Sequence, residues 1–393
     1  MWWWLACTAD PTGGAPTDRD VDATDTDTDG TVPGATRRLA VDHGYGGGEL
    51  PVGAAFQVWA AVDPQTEVVT GWTGDVDALE APTEWNSAGT MPDRDLALAA
   101  TIEASAAPIV ARDLTLAGRP RGILVAAAPA PVGLVLFFHG AGYAIDELRD
   151  NAARTTTNLL VRAGYTVVAV MSDAEAAAGI GGWSTGLDLG SNGDLQTVDA
   201  LIDALRSDGT VPPSTPVYAW GMSSGGMFAH TVGATLPIAA VAAFCAAGTA
   251  EAMAATDAPT AWYLAGNDQV FPTSVADATA FEAALTARGV PTDRVVHPPT
   301  PLYDQRFERV TGVEPARSAT IAASIRASGA VDPTGAWTVP GSAVTAAMDL
   351  DGLDGLSPIQ VTAVAAEIEI LAADHELYDD VSARLVAFFD AHR

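Results

Sequence analysis

The chain runs to 393 residues with 48% hydrophobic content, longer than one ordinary domain and apolar enough for a sizeable core. Its 49 acidic residues outnumber 19 basic ones, every one an arginine, and the net charge of −30 argues against nucleic acid or anionic lipid as a partner. Two cysteines, Cys7 and Cys245, are too few for a disulfide framework, and no apolar run is long enough to span a bilayer.

The opening Met-Trp-Trp-Trp-Leu-Ala-Cys sets a small residue before Cys7 and resembles the tail of a bacterial lipoprotein signal peptide. The resemblance implies export, to the cell envelope or beyond, with a lipid anchor at Cys7. It departs from that pattern in its short apolar stretch and missing basic start. Residues 8–38 are rich in Asp, Thr, Gly and Pro and almost devoid of large apolar groups. Such a segment buries too little surface to offset its ordering entropy, so residues 1–38 read as a signal remnant and an acidic tether. Within them Asp25-Thr26-Asp27-Thr28-Asp29-Gly30 imitates the start of a calcium loop. Pro33 interrupts that loop and Thr36 stands where its closing Glu belongs, so solvated linker is the better reading.

From residue 39 the texture changes to short strands, at 54–62 and 95–102, between Gly- and Pro-containing turns. Leu50-Pro51-Val52-Gly53, Gly71-Trp72-Thr73-Gly74-Asp75 and Met91-Pro92-Asp93-Arg94-Asp95 follow one another. In that order they resemble the internalin-type β module (InlB B-repeat) of bacterial surface proteins. The resemblance implies a small, extracellular, all-β accessory domain over residues 39–104. Trp59, Trp72 and Trp85 offer either an aromatic platform for a ligand or core packing, the latter expected at least of Trp72. Removing residues 1–104 is expected to leave a soluble, active remainder.

Residues 105–393 alternate strand and helix patterns. Segments 109–116 and 122–128 read as leading strands, and 132–138 as a strand buried on both faces. A helix at 147–162 and a strand at 165–171 follow. Leu195, Val198, Leu201, Ile202 and Leu205 mark one face of a helix at 194–206, with Asn192 or Ser191 as its cap. Strands at 217–220, 238–244, 261–264 and 294–296 are joined by further helical stretches, including 273–288. Cys245, after an apolar run, reads as a core thiol. An insertion fills about 298–358, in which residues 349–355 read as an acidic turn rather than a calcium loop. A closing helix is expected at 378–391. The alternation predicts an α/β fold, a mostly parallel sheet with helices on both faces.

The chemistry centres on Gly221-Met222-Ser223-Ser224-Gly225, a G-x-S-x-G match between an apolar strand and a helix. A serine on so sharp a turn has an exposed hydroxyl, and the flanking glycines let chain segments approach closely, so Ser223 is the candidate nucleophile. Phe138-His139-Gly140-Ala141-Gly142 ends a buried strand where backbone N–H groups can face a developing oxyanion. Ala141 and Ser224 are the candidate donors, Gly142 a further one, and His139 braces the turn. Leu264-Ala265-Gly266-Asn267-Asp268 ends another strand in a turn carrying a carboxylate, a better context than that of Asp257 or Asp277. Two histidines compete to be the base. His297 precedes Pro298 and Pro299; His375 lies on a loop before the closing helix, the better position, although residues 361–371 ahead of it have helical spacing. His43, His230 and His392 read as surface or packing residues.

With these residues the domain resembles the α/β-hydrolase superfamily, Ser223, Asp268 and His375 matching its serine–acid–histidine order. Residues 221–227 and 183–194 resemble polyhydroxyalkanoate depolymerase and feruloyl-esterase-like members; the insertion departs from them. The resemblance implies hydrolysis of small or polymeric carboxylic esters through an acyl-enzyme, with no metal or organic cofactor. A serine peptidase would use the same groups. The non-enzymatic alternative is a surface adhesin on a degenerate hydrolase scaffold.

Overall fold

The computed structural model describes residues 35–104 and 106–393; Cys7, the signal-like start and the calcium-loop imitation lie outside them. Among the described residues no helix is long and apolar enough to cross a membrane.

Residues 36–103 hold seven strands: β1 (Thr36–Asp42), β2 (Gly44–Tyr45), β3 (Gly48–Pro51), β4 (Ala55–Ala60), β5 (Val68–Gly74), β6 (Asn86–Thr90) and β7 (Leu96–Glu103). They form two small sheets, ordered β3-β1-β7-β5 and β2-β4-β6. Alternation decides the faces: along β7, Leu96, Leu98 and Ala100 turn inward while Ala97 and Thr101 are exposed. Trp59, Trp72 and Trp85 are 5%, 7% and 3% exposed, so all three are core and none offers a platform to solvent.

Residues 36–104 touch residues 106–393 at several points, which bears on the expectation that the latter stand alone. Trp59 stacks on Tyr303 with ring centroids 3.9 Å apart, and the Tyr45 hydroxyl donates to Glu308 at 2.9 Å. Trp85 lies under the guanidinium of Arg309, 3.9 Å from the ring centre. Asn158 donates to the Pro64 carbonyl at 2.9 Å. Residues 36–393 accordingly make one compact unit.

The larger sheet has eight strands: β8 (Val110–Leu116), β9 (Arg119–Ala126), β10 (Gly133–Phe138), β11 (Tyr165–Val170), β12 (Val217–Met222), β13 (Ala240–Phe244), β14 (Thr260–Ala265) and β15 (Thr292–His297). Their order is β15-β14-β13-β12-β10-β11-β9-β8, parallel from β15 to β11 and antiparallel across β9 and β8. This is the mostly parallel α/β sheet expected from the sequence. Helices α1 (Asn151–Arg162), α2 (Asp173–Ala178), α3 (Gly193–Ser207), α4 (Ser224–Thr235), α5 (Ala250–Ala255) and α6 (Ser274–Ala287) connect the strands. On one face Val135, Phe137, Trp220 and Phe244 pack against α1; on the other Leu134, Leu136, Phe138 and Ala219 pack against α3 and α4. Full burial on both faces explains why β10, β12 and β14 read as unbroken apolar runs. The helix expected at 147–162 is divided, a 3-10 turn at Ile145–Arg149 and then α1, because Asp150 between them is extended.

The insertion folds into α7 (Pro315–Ala327) and α8 (Gly341–Ala347), and with α9 (Pro358–Leu371) it encloses a core of its own around Phe307, Ile321, Ile325 and Ile368. The helical spacing at 361–371 is thus a helix. The last helix, α10 (Ser382–Asp390), begins four residues later than expected. Residues 378–381 are held outside it by tertiary bonds: Tyr378 to the Leu264 carbonyl, Asp379 to Arg309 and Asp380 to His297.

No side chain of its own caps α10. Glu84 does so from the β region, accepting from the Ala383 and Arg384 N–H groups at 3.0 and 2.9 Å. Burial, opposed by those two bonds and reinforced by Asp380 and Asp379, pushes its pKa up to about 8. The folded chain therefore keeps a proton that the unfolded chain has lost, and Glu84 makes stability fall as pH rises from about 4.5 to about 8. Glu84→Gln is expected to flatten that decline by on the order of a few kcal/mol. Urea unfolding at either end of the window checks it; an unchanged pH dependence would rule Glu84 out as its source.

Candidate active site

Ser223 sits between β12 and α4 with φ 53° and ψ −118°, a conformation that costs about 1–3 kcal/mol for a residue with a Cβ. The turn is possible only because its neighbours are glycines. A Cβ on Gly221 would lie 2.4 Å from the Gly225 carbonyl oxygen, and one on Gly225 would lie 1.9 Å from that of Phe138. The Ser223 N–H donates to Phe244 O on the adjacent strand at 2.9 Å, which anchors the turn to the sheet.

His375 stands between Ser223 and Asp268. Its Nε2 is 2.8 Å from Ser223 Oγ and its Nδ1 is 2.8 Å from Asp268 Oδ2. Asp268 follows β14, and its other oxygen accepts the N–H groups of Val270 and Phe271 at 2.9 and 2.7 Å. A carboxylate only accepts, so the bond at Nδ1 puts the ring proton there and leaves Nε2 open as an acceptor for the serine hydroxyl.

The His297 ring bonds neither Ser223 nor Asp268 among the described residues, and it differs in kind. It is 3% exposed, with Nδ1 2.7 Å from Asp380 and Nε2 2.9 Å from the Ile370 carbonyl, and it stacks on Tyr378. Both partners accept, so both nitrogens donate and the ring is a cation. Burial works against that charge, but Asp380 and the Ile370 carbonyl outweigh it and raise the pKa. Such a ring has no lone pair for a serine proton. Asp257 pairs with Arg288 and Asp277 with Thr273, away from the serine.

The Gly140 turn is held from several sides. Gly140 N–H donates to Glu147 Oε2 at 2.7 Å, and Gly142 N–H donates to the Gly181 carbonyl at 2.9 Å, which takes Gly142 out of consideration as an oxyanion donor. Ser224 is the first residue of α4, where an N–H has no acceptor inside the helix. Ala141 comes close to it: a Cβ on Gly182 would lie 2.9 Å from Ser224 Oγ and 3.5 Å from Ala141 Cβ. His139 is buried, its ring bonded to the Gly140 carbonyl and facing Glu175 at 3.1 Å, a brace as expected.

Several residues that shape the site carry no signal in the sequence. Asp374 accepts the N–H groups of His375 and Gln269 and both the N–H and hydroxyl of Ser342, so it sets the loop on which His375 rides. Asn267 N–H and side chain bond the Ala373 and Ala372 carbonyls, joining the Asp268 turn to the same loop. Trp183 N–H donates to Ser224 Oγ and its ring N–H to the His139 carbonyl. Cys245 is buried; its Sγ, an Asp268 oxygen and a His375 nitrogen lie within 4.8 Å of one another. Its thiol bonds the Glu376 carbonyl and burial raises its pKa, while the two ring nitrogens of His375 are engaged by Asp268 and Ser223.

No protein-family model matches this chain, and no curated protein matches it significantly. Among solved structures, an acylaminoacyl peptidase of Pyrococcus horikoshii aligns over 49% of this chain and 37% of its own, at 11% identity and a TM-score of 0.37. A cold-adapted esterase from an Arctic intertidal metagenomic library aligns over 49% and 84%, at 17% identity and 0.36. A dienelactone hydrolase of Anabaena variabilis aligns over 49% and 86%, at 19% identity and 0.35. This chain therefore spans little more than a third of the peptidase's length. By its own strand order and its sharp turn after β12, the larger sheet is of the α/β-hydrolase type.

Proposed function

We propose that this protein is a serine hydrolase of carboxylic esters, with Ser223 as nucleophile, His375 as base and Asp268 as the group that orients it. The observation that carries the reading is His375 bridging Ser223 Oγ and Asp268 Oδ2 through opposite nitrogens, each at 2.8 Å. Ser223 Oγ attacks the ester carbonyl carbon while its proton passes to His375 Nε2. The N–H groups of Ala141 and Ser224 stabilise the oxyanion, each such donor being worth about 3 kcal/mol. The tetrahedral intermediate collapses to an acyl-enzyme as the alcohol leaves with the His375 proton. Water, deprotonated by the same nitrogen, releases the acid and restores the serine.

Exposed apolar groups near the line support an ester with a hydrocarbon part. Phe271 packs its edge against the His375 ring at 5.3 Å and is 38% exposed, beside Val270 at 58%. Ile180, 57% exposed, lies two residues before Gly182, which adjoins Ser224 and Ala141.

Hydrolysis of p-nitrophenyl esters of rising chain length, with feruloyl and polyester substrates alongside, tests the reading. Ser223→Ala is expected to lower turnover by roughly ten-thousand-fold or more and to abolish labelling by a fluorophosphonate. Its melting temperature should hold or rise, since the elbow hydroxyl adds little packing. A wild type that takes no label and cleaves none of these esters would refute the proposal.

A further inference from the structure

At the tetrahedral stage of the proposed reaction, the carbon bonded to Ser223 Oγ carries three other groups: the oxyanion, the acyl chain and the alcohol oxygen. The oxyanion turns to the Ala141 and Ser224 N–H groups. The alcohol departs with the His375 proton, so its oxygen must come within about 2.6–3.2 Å of His375 Nε2. A side chain packed on the imidazole therefore borders the alcohol before it borders the acyl chain.

Phe271 is such a side chain. Its ring centroid lies 5.3 Å from that of His375 with the planes inclined at 69°, an edge-on contact. The imidazole itself is nearly covered, its side chain 11% exposed. Phe271 by contrast is the only exposed phenylalanine among the described residues, and Val270 beside it is more exposed still. Backbone bonds hold both in place. Their N–H groups donate to Asp268 Oδ1, and the Phe271 carbonyl accepts the Ser274 N–H at 2.9 Å where α6 begins. The apolar pair is thus fixed to the carboxylate that orients His375, and its place beside the imidazole does not depend on a free loop.

We propose that Phe271, with Val270, determines the alcohol half of the substrate and selects an apolar alcohol, aromatic ahead of aliphatic. The inference rests on the ester-hydrolase reading above and adds which side of the ester these exposed groups serve. An aromatic alcohol meets the Phe271 ring offset or edge-on, a contact worth more than its area alone. A sugar or other polyol sets hydroxyls against Phe271 and Val270, where they lose water and find no partner.

The test measures kcat/KM for benzyl acetate, methyl phenylacetate and methyl acetate in the full chain and in Phe271→Ala, with a pH-stat. The first two esters are isomers with the phenyl ring on opposite sides of the ester bond, and the third has no ring. Phe271→Ala is expected to lower kcat/KM for benzyl acetate about tenfold more than for either methyl ester, the scale of one lost apolar contact in a pocket. Phe271→Leu, which serves should the alanine variant not fold, is expected to do so about threefold. An equal fall on all three esters would show that Phe271 only holds the His375 ring, and would overturn the proposal. So would no fall, or one confined to methyl phenylacetate, which would set the acyl chain there instead. A wild type that cleaves p-nitrophenyl esters but not benzyl acetate overturns the alcohol assignment and leaves the ester-hydrolase reading intact. A wild type that cleaves none of these esters sinks that reading and the inference together.

Discussion

His375→Ala is expected to lower kcat for a p-nitrophenyl ester by roughly ten-thousand-fold or more, with KM changed only a few-fold. The substitution removes the only acceptor bonded to Ser223 Oγ among the described residues, so the hydroxyl must attack with its proton in place. His297→Ala should act on stability instead. It strips Asp380 of a buried cationic partner 2.7 Å away, a loss of about 3 kcal/mol, while kcat of the folded fraction stays within a few-fold of the parent. Steady-state kinetics and urea unfolding on both variants separate the two effects. A kcat collapse in His297→Ala, with His375→Ala still active, would reverse the assignment of the base.

Deleting residues 1–104 is expected to destabilise what remains. The deletion uncaps α10 by removing Glu84, exposes Tyr303 by removing Trp59, and takes the Trp85 ring from Arg309 and Arg306. A cap, an aromatic stack and a desolvated cation–π contact together amount to on the order of 3–5 kcal/mol. That is a large part of the usual 5–15 kcal/mol margin, and corresponds to roughly 10 °C in Tm if the fragment folds at all. Removing only residues 1–34 leaves all of these contacts in place and is the control. Calorimetric melting of both truncations decides the matter: a fragment of residues 105–393 that melts like the parent would show the contacts to be incidental.

Much of this protein was legible in one dimension because its strongest constraints are local. Strands buried on both faces must be apolar throughout, which is why β10, β12 and β14 stood out. The turn at Ser223 announces itself because a Cβ at Gly221 or Gly225 has nowhere to go. Asn192 caps α3 through the N–H groups two and three residues on, again a relation within one turn. The tertiary structure alone decided what joins these pieces. Ser223 and His375 are 152 residues apart, and what brings them to 2.8 Å is the loop built by Asp374, Asn267 and Ser342, whose roles depend on partners far along the chain. His297 and His375 are the same residue type at two loop positions; one becomes a cation and the other a neutral acceptor only because a carbonyl faces one Nε2 and a hydroxyl the other. The start of α10 was misread for the same reason. Residues 378–381 have helical apolar spacing, but bonds to Leu264, Arg309 and His297 outweigh the local preference, and Glu84 supplies the cap from 299 residues away. Sequence periodicity records which side of an element is buried; it holds no trace of which distant polar atom will meet it there, because that pairing exists only once the chain has closed on itself.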